Sequence, residues 1–553
     1  MAGNTRTTIG AYLLERLQAC GADHIFGVPG DFVLGFMTEI EASPIELINT
    51  CDEQGAGFAA DAYARLRGIG AVCVTYGVGG LKLANTTGQA YAERVPVVVI
   101  SGAPSMAERR RNPLIHHKVR SYDTQLRVFQ QLTVAWTVLD DPEDACREID
   151  RVLRLCKRYS RPVYIELPRD MVDVEVEIDI RAVEDHIPSD PRTLAAALAE
   201  ASSWINSAEQ PVIFFGVELY RFGLEAEALA LIEASGIPAA VTLLDKGAIE
   251  ERSPSFLGVY AGALGRDDVR RYVEESDCLI MLGTLLTDIN LGISTAKIDP
   301  TRCIHSTRDR LAVGLHTYEN VRLDDFVCGL GNAGIAPRSN RNHPHAPVPQ
   351  AMDVPHDERD LPVTVAHLFG RLASYLTEDT IVIADPGDAL FASIDLPVQE
   401  ARAFLAPAFY ASLGFAVPAA IGAQCARPDD RPFVLVGDGA FQMTGMELST
   451  CAKFGLDPIV IVLNNDGYTT ERLIIDGGFN DIQQWNFSAL PDVIQSGRSF
   501  LVRTVGELED ALEAAKERTG QFALLDVRLD KLDFSPALQR LGQGLSKAAT
   551  EGA

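Results

Sequence analysis

The residues best suited to chemistry fall into two groups. The first is Gly437-Asp438-Gly439, followed after 24 intervening residues by Asn464-Asn465. One carboxylate, one amide oxygen and one backbone carbonyl are hard donors that leave open positions on a cation such as Mg²⁺, and phosphate oxygens can fill those positions. The second group is scattered: Asp31 in FGVPGDF, Glu53 in CDEQGAGFAADAYAR, and His116-His117 in LIHHKV. Each has a plain structural explanation when taken alone. Asp31 suits a turn, Glu53 the first turn of a helix, a histidine pair in a polar stretch solvent, and GDG a tight turn before a helix. Carboxylates and imidazoles are nevertheless the side chains that carry protons in catalysis. Adjacent histidines face different ways on any regular element, so the pair is not expected to serve one helix-face metal site.

The elements that must position these groups read as repeated strand–helix units. Residues 433–436 form a short apolar run that breaks at GDG. A helical pattern follows (Phe441, Met443, Met446, Leu448, Cys451, Phe454), then Gly455 as a stop and an apolar run over 458–463. Strand, helix and strand make a βαβ unit, and ligands of open parallel sheets sit beyond the carboxyl ends of the strands, where helix N-termini favour anions. Near the N-terminus the spacing predicts a helix over 9–20 capped by Thr7 or Thr8, strands over 24–28, 46–50, 71–76 and 95–101, and a small-residue helix over 55–67. A second α/β pattern has strands at 211–216, 239–243 and 278–283 and a helix at 224–236, with no G-x-G-x-x-G after any strand. Prolines among Asn, Arg and His mark a linker. A third pattern opens with a strand at 380–384, the turn Asp385-Pro386-Gly387-Asp388, and a loop and small-residue helix over 407–423. The tail from about 530, with Leu532, Phe534, Leu538 and Leu541, reads as a docked helix.

The expected fold is α/β: three doubly wound domains with mostly parallel sheets over 1–185, 190–335 and 361–553, with 336–360 as linker. The apolar runs at 96–101 and 458–463 hint that the outer domains share a topology. A chain of 553 residues is too long for one core. Its net charge of −27 argues against a nucleic-acid partner. The ten cysteines never approach a CxxC spacing, and several lie in apolar runs as free thiols. With no basic-then-apolar leader and no run of 18 apolar residues, a cytoplasmic location without a membrane span is expected.

GDG and NN at this spacing inside a βαβ unit resemble the cofactor motif of thiamine diphosphate enzymes. The whole chain resembles the thiamine diphosphate-dependent 2-oxo acid decarboxylases that act on pyruvate, indolepyruvate or phenylpyruvate. The resemblance implies thiamine diphosphate and Mg²⁺ as cofactors, with Asp438, Asn465 and the Gly467 carbonyl as metal ligands. It implies that Glu53 bonds the pyrimidine N1′ and that Ala411 offers its carbonyl to the 4′-amino group. Leu413 would be the wedge beneath the cofactor, and Thr75, Asn85, Gly387, Asp388, Gly437, Gly439 and Ala440 would be further contacts. Asp31, His116, His117 and Glu471 match the family's acid–base residues. The implied reaction is loss of CO₂ from a 2-oxo acid through the cofactor ylide, releasing an aldehyde.

Leu390 stands where pyruvate-specific relatives place tryptophan and Thr470 where they place isoleucine; with Ile474 they would line a larger substrate pocket. The segments GFAADAYAR, VVISGAP, GDGAFQMTG and FNDI resemble the indolepyruvate and phenylpyruvate branch. Asp288 matches an acidic position of the phenylpyruvate branch, although a strand-end turn also explains it. By the same analogy one cofactor touches two chains, so a homodimer is the minimum and a homotetramer is expected. Two alternatives stay open: pyruvate decarboxylase, and a carboligase of the acetolactate synthase type, which shares Glu53 and GDG…NN but lacks the histidine pair.

Overall fold

The computed structural model describes residues 6–178, 187–338, 343–345 and 358–551. The expected boundary at 185 and most of the expected linker over 336–360 lie outside the described residues. Among the described residues there are three large sheets. The first runs Glu46–Asn49, His24–Gly27, Gly70–Val74, Val97–Ala103, Val163–Pro168, Ala135–Val138, with every pairing parallel. The last runs Phe404–Leu405, Thr380–Ala384, Arg431–Gly437, Ile459–Asn464, Ala523–Arg528, Arg498–Val502, again all parallel. With strands counted in chain order inside each unit, both sheets read 2-1-3-4-6-5.

The middle sheet sets five parallel strands (Phe256–Tyr260, Ala239–Thr242, Pro211–Phe215, Cys278–Leu282, Cys303–Ser306) beside an antiparallel edge of Leu311–Val313 and His316–Tyr318. The central strands are buried along their length, as parallel strands covered by helices on both faces must be.

Local chemistry sets the helix starts. Thr8 caps the helix Ile9–Ala19 by accepting from the Ala11 N–H at 3.1 Å. Asp52 caps the helix Glu53–Arg67 by accepting from the Gln54 N–H at 2.8 Å, which places Glu53 as its first residue, two positions before the expected start. The helical pattern after GDG is not one helix. It divides into Asp438–Thr444, a 3₁₀ turn Gly445–Glu447 and Leu448–Lys453, with the Phe441 ring packed where a Cβ at Gly445 would stand. The C-terminal helix begins only at Pro536; Leu538 and Leu541 are buried on it, whereas Leu532 precedes it and is exposed. None of the ten cysteines is in a disulfide, and Cys51 and Cys328 are exposed.

The outer domains of one chain meet at two small-residue helices, Glu53–Arg67 and Ala416–Ala426. They approach so closely that a Cβ at Gly422 would lie 1.9 Å from the Ala59 carbonyl oxygen. Arg65 is buried beside this seam, 2.5 Å from Asp61 and 2.7 Å from Glu93, and it donates to the Ala406 carbonyl at 3.0 Å. Glu93 in turn accepts from the Phe409 and Tyr410 N–H groups at 2.8 Å.

Candidate active site

Beyond the carboxyl ends of the third-domain strands lies a cavity of about 270 Å³. Its walls come from 386–391, Ala411, Leu413, Gly437–Ala440 (437–440), Leu463, Asn465 and 467–471, with Ile289 of the middle domain as the one outside contributor. Asp438 is fully buried at the turn from strand to helix. Its two oxygens accept from the Gly439 N–H at 2.7 Å and the Gly467 N–H at 3.1 Å. Burial pushes its carboxyl up to about 6, against the pull of those N–H groups.

The turn after Asn465 uses left-handed backbone at Asp466 (φ 62°) and Gly467 (φ 138°). A Cβ at Gly467 would lie 1.9 Å from the Asn480 carbonyl oxygen, so only glycine fits. The Asn464 amide donates to Asp526 at 2.7 Å; the Oδ1 atoms of Asn464 and Asn465 are both buried with no partner among the described residues, and of the two Asn465 lines the cavity. Asp388 also keeps one buried oxygen unpaired while the other accepts from the Ser535 N–H at 2.8 Å, and burial pushes its carboxyl up to about 6. Unsatisfied buried oxygens facing one cavity are costly unless a cation or a donor answers them. This donor set fits a Mg²⁺ ion with a diphosphate.

The loop facing these groups is fixed by Asp385. Its oxygens accept from the Gly414 N–H at 2.9 Å and the Ala416 N–H at 2.8 Å, and burial pushes it up to about 7. The same loop holds Ala411 in left-handed backbone at φ 56°. Gly387, Asp388, Leu390, Ala411, Leu413, Gly437, Asp438, Gly439, Ala440, Asn465, Gly467, Thr470 and Glu471 thus line one cavity. Ile474 does not. It ends the short helix Thr469–Ile474, a turn beyond Glu471, and its side chain is 71% exposed outside the cavity.

The first-domain candidates gather at the corresponding strand ends. His116 Nε2 lies 2.7 Å and His117 Nε2 3.9 Å from Asp31 carboxylate oxygens. Neighbouring histidines diverge on a regular element, but these two sit in a turn, and His117 in left-handed backbone (φ 65°) brings both rings to one carboxylate. Glu53 is mostly buried and lies 2.9 Å from Lys82 Nζ. Gly79 lies against it: a Cβ there would stand 3.1 Å from Glu53 Oε1. The Thr75 hydroxyl is buried without a partner. Asn85 donates to Ser412 Oγ at 2.7 Å, on the loop that carries Ala411. Among the described residues, none of the first domain lines the third-domain cavity.

Sequence reasoning missed Ile289 and Lys82. Ile289 reaches the cavity because Asn290, fully buried, ties its turn to the Leu244 N–H (3.1 Å) and the Leu285 carbonyl (2.8 Å). The neighbouring Asp288, exposed in this turn, was the only signal available.

Comparison with known families matches this arrangement domain by domain. Models of the thiamine pyrophosphate enzymes match residues 7–125 (N-terminal TPP binding domain), 198–323 (central domain) and 386–527 (C-terminal TPP binding domain). The chain belongs to the thiamine pyrophosphate enzymes. Within that family it is 39% identical to indole-3-pyruvate decarboxylase of Azospirillum brasilense over 540 residues, which span 96% of this chain and 97% of that protein. It is 35% identical to an alpha-keto-acid decarboxylase of Mycolicibacterium paratuberculosis over 543 residues, 97% of this chain and 96% of that one. Among the described residues no helix is long and apolar enough to cross a membrane.

Proposed function

We propose that this protein is a non-oxidative 2-oxo acid decarboxylase that uses thiamine diphosphate and Mg²⁺, converting an aromatic or longer-chain 2-oxo acid, such as indolepyruvate or phenylpyruvate, to aldehyde and CO₂. One observation carries the reading: a desolvated cradle, in which the buried Asp438 carboxylate sits with oxygens of Asn465 and Asp388 that have no partner among the described residues, and a cluster of proton carriers (Asp31, His116, His117, with Glu53 nearby) on two matching sheets. Thiamine diphosphate supplies, when bound, a thiazolium that takes the electron pair left by departing CO₂.

The chain does the rest. Asp438, Asn465 and the Gly467 carbonyl hold the metal, and Ala411 and Leu413 set the far wall. Glu53 holds the proton at the pyrimidine N1′. Asp31, His116, His117 and Glu471 move protons at the substrate's carbonyl oxygen and carbonyl carbon as a coupled cluster. Leu390 and Thr470 leave room for a large substrate side chain, and the apolar walls keep water out.

Among the described residues none of the first domain reaches the cavity within one chain, which supports an active homodimer in which Glu53 and the histidine cluster come from the partner, with the dimers pairing into a homotetramer. Exposed apolar side chains flank both halves: Leu34, Val78, Leu114 and Val119 in the first domain, and Met443, Ile474, Ile475 and Phe479 in the third. Such patches are what an obligate interface covers. The site of action is cytoplasmic.

A panel of 2-oxo acids, followed by coupled reduction of the aldehyde and with Glu53→Gln as control, tests this. Phenylpyruvate or indolepyruvate should turn over without flavin or added oxidant. A preference for pyruvate by orders of magnitude would overturn the substrate assignment, and acetolactate as the product would overturn the reaction class.

A further inference from the structure

A buried carboxylate that the mechanism does not use holds the backbone just ahead of Glu53. Glu447 closes the 3₁₀ turn after the helix Asp438–Thr444, nine residues on from Asp438, and is 2% exposed. Its Oε2 accepts from the Cys51 N–H at 3.1 Å and its Oε1 from the Asp52 N–H at 3.1 Å. The Thr450 hydroxyl donates to Oε2 at 2.7 Å. Burial pushes this carboxyl up and those three donors pull it down. The chain leaves room for it, since a Cβ at Gly55 would lie 2.1 Å from Oε1.

Two successive N–H groups on one carboxylate fix both the position and the rotation of the segment they belong to. That segment ends in Asp52, the cap, and then Glu53, the first residue of the helix. The placement of Glu53 therefore depends on a side chain from another domain.

We infer that Glu447 is a positioning residue for Glu53. The inference rests on the reading above that Glu53 bonds the cofactor pyrimidine and does so across the dimer. The turn carrying Glu447 continues directly from the helix that opens at Asp438 in its own chain, whereas Glu53 of that chain serves the partner's cavity. Glu447 thus joins the metal end of one site to the pyrimidine end of the other.

The test compares wild type, Glu447→Gln and Glu53→Gln. Glutamine keeps the shape and one acceptor but turns an NH₂ towards one of the two backbone donors. Three readouts apply: kcat of the holoenzyme, hydrogen–deuterium exchange at the cofactor C2 by acid quench and proton NMR, and amide exchange of residues 51–56 in the cofactor-free protein. Glu447→Gln should bind cofactor stoichiometrically, slow C2 exchange and kcat together by about tenfold, and expose the amides of 51–56. Glu53→Gln should slow C2 exchange more while leaving those amides protected.

Thr450→Ala, which removes only the hydroxyl, should show the same pattern at about threefold and decides the matter if Glu447→Gln does not fold. C2 exchange at the wild-type rate in a folded, loaded Glu447→Gln protein would overturn the positioning role, as would a loss of kcat that only follows lost cofactor. Wild-type C2 exchange in Glu53→Gln would instead remove the role of Glu53, a failure the amide data tell apart.

Discussion

The first and third domains share one strand order and place their functional groups at the same ends of their sheets, yet the two sites are physically opposite. In the third domain the groups are dry. Asp438 and Asn465 are buried, their turn is closed by a glycine that admits no side chain, and burial raises the Asp438 carboxyl. In the first domain they are open, with the Asp31 side chain 46% and the His116 side chain 59% exposed. The third domain carries a finished binding site, while the first carries a reactive face that needs a surface to cover it. A common sheet supplies the location, and the loops decide which half of the chemistry each copy takes on.

The sharpest way to break this comparison is to cripple each half separately and mix the products. Asp438→Asn should abolish Mg²⁺-dependent cofactor retention, and Glu53→Gln should leave the cofactor bound, with activity lower by about 10²–10⁴-fold in each. If the halves meet across a dimer, co-refolding the two dead variants rebuilds one intact site per hybrid and restores about one quarter of wild-type activity. No recovery would mean that each chain completes its own site.

Within the open half, His116→Gln and His117→Gln should each cost about 10–10²-fold in kcat. The double variant should cost less than the product of the two, because both rings meet one carboxylate; full multiplicativity would argue against a shared cluster.

The dry half makes a pH prediction through Asp385, whose folded value is raised to about 7. Below about pH 4 the group is neutral in folded and unfolded chains alike. Between about 4 and 7 the folded chain keeps a proton that the unfolded chain releases, so stability falls as pH rises, by at most about 4 kcal/mol, and then levels off. Asp385→Asn should lack that slope. The Tm of cofactor-free wild type relative to the variant should drop between pH 5 and 8, and a constant difference would contradict the assignment. The smallest effect is expected where the middle domain touches the cavity: Ile289→Ala should shift preference towards bulkier 2-oxo acids by about 1–3 kcal/mol in relative kcat/KM.

The place of the third-domain cradle was legible because GDG and NN end adjacent strands, whereas the choice of Asn465 and Gly467 within it came from the family resemblance. Glu53 was readable as a helix-start carboxylate, and the structure gives it that place. Convergence of His116 and His117 was not readable, since it depends on one left-handed residue in an irregular turn. Ile289 was hidden because its role comes from a domain contact rather than from its own segment. Ile474, expected in the pocket from the resemblance, closes the helix Thr469–Ile474 one turn past the residues that line the cavity. The strand limits came within a residue or two, Thr380–Ala384 exactly as expected from the pattern, whereas the break at Gly445–Glu447 followed from tertiary packing that no helical period encodes.

The crossing of Gly422 over Ala59 has one last implication. Main chain rests on main chain there, with no side chains between to repack or act as a bearing, so the outer domains of a protomer behave as a single casting. An enzyme assembled on such a joint has little freedom to widen its chamber by hinging. Adaptation to a different acid has to come from exchanging residues on the chamber walls, and laboratory evolution of this chain should collect its gains at Leu390, Thr470 and Ile289 rather than along the seam.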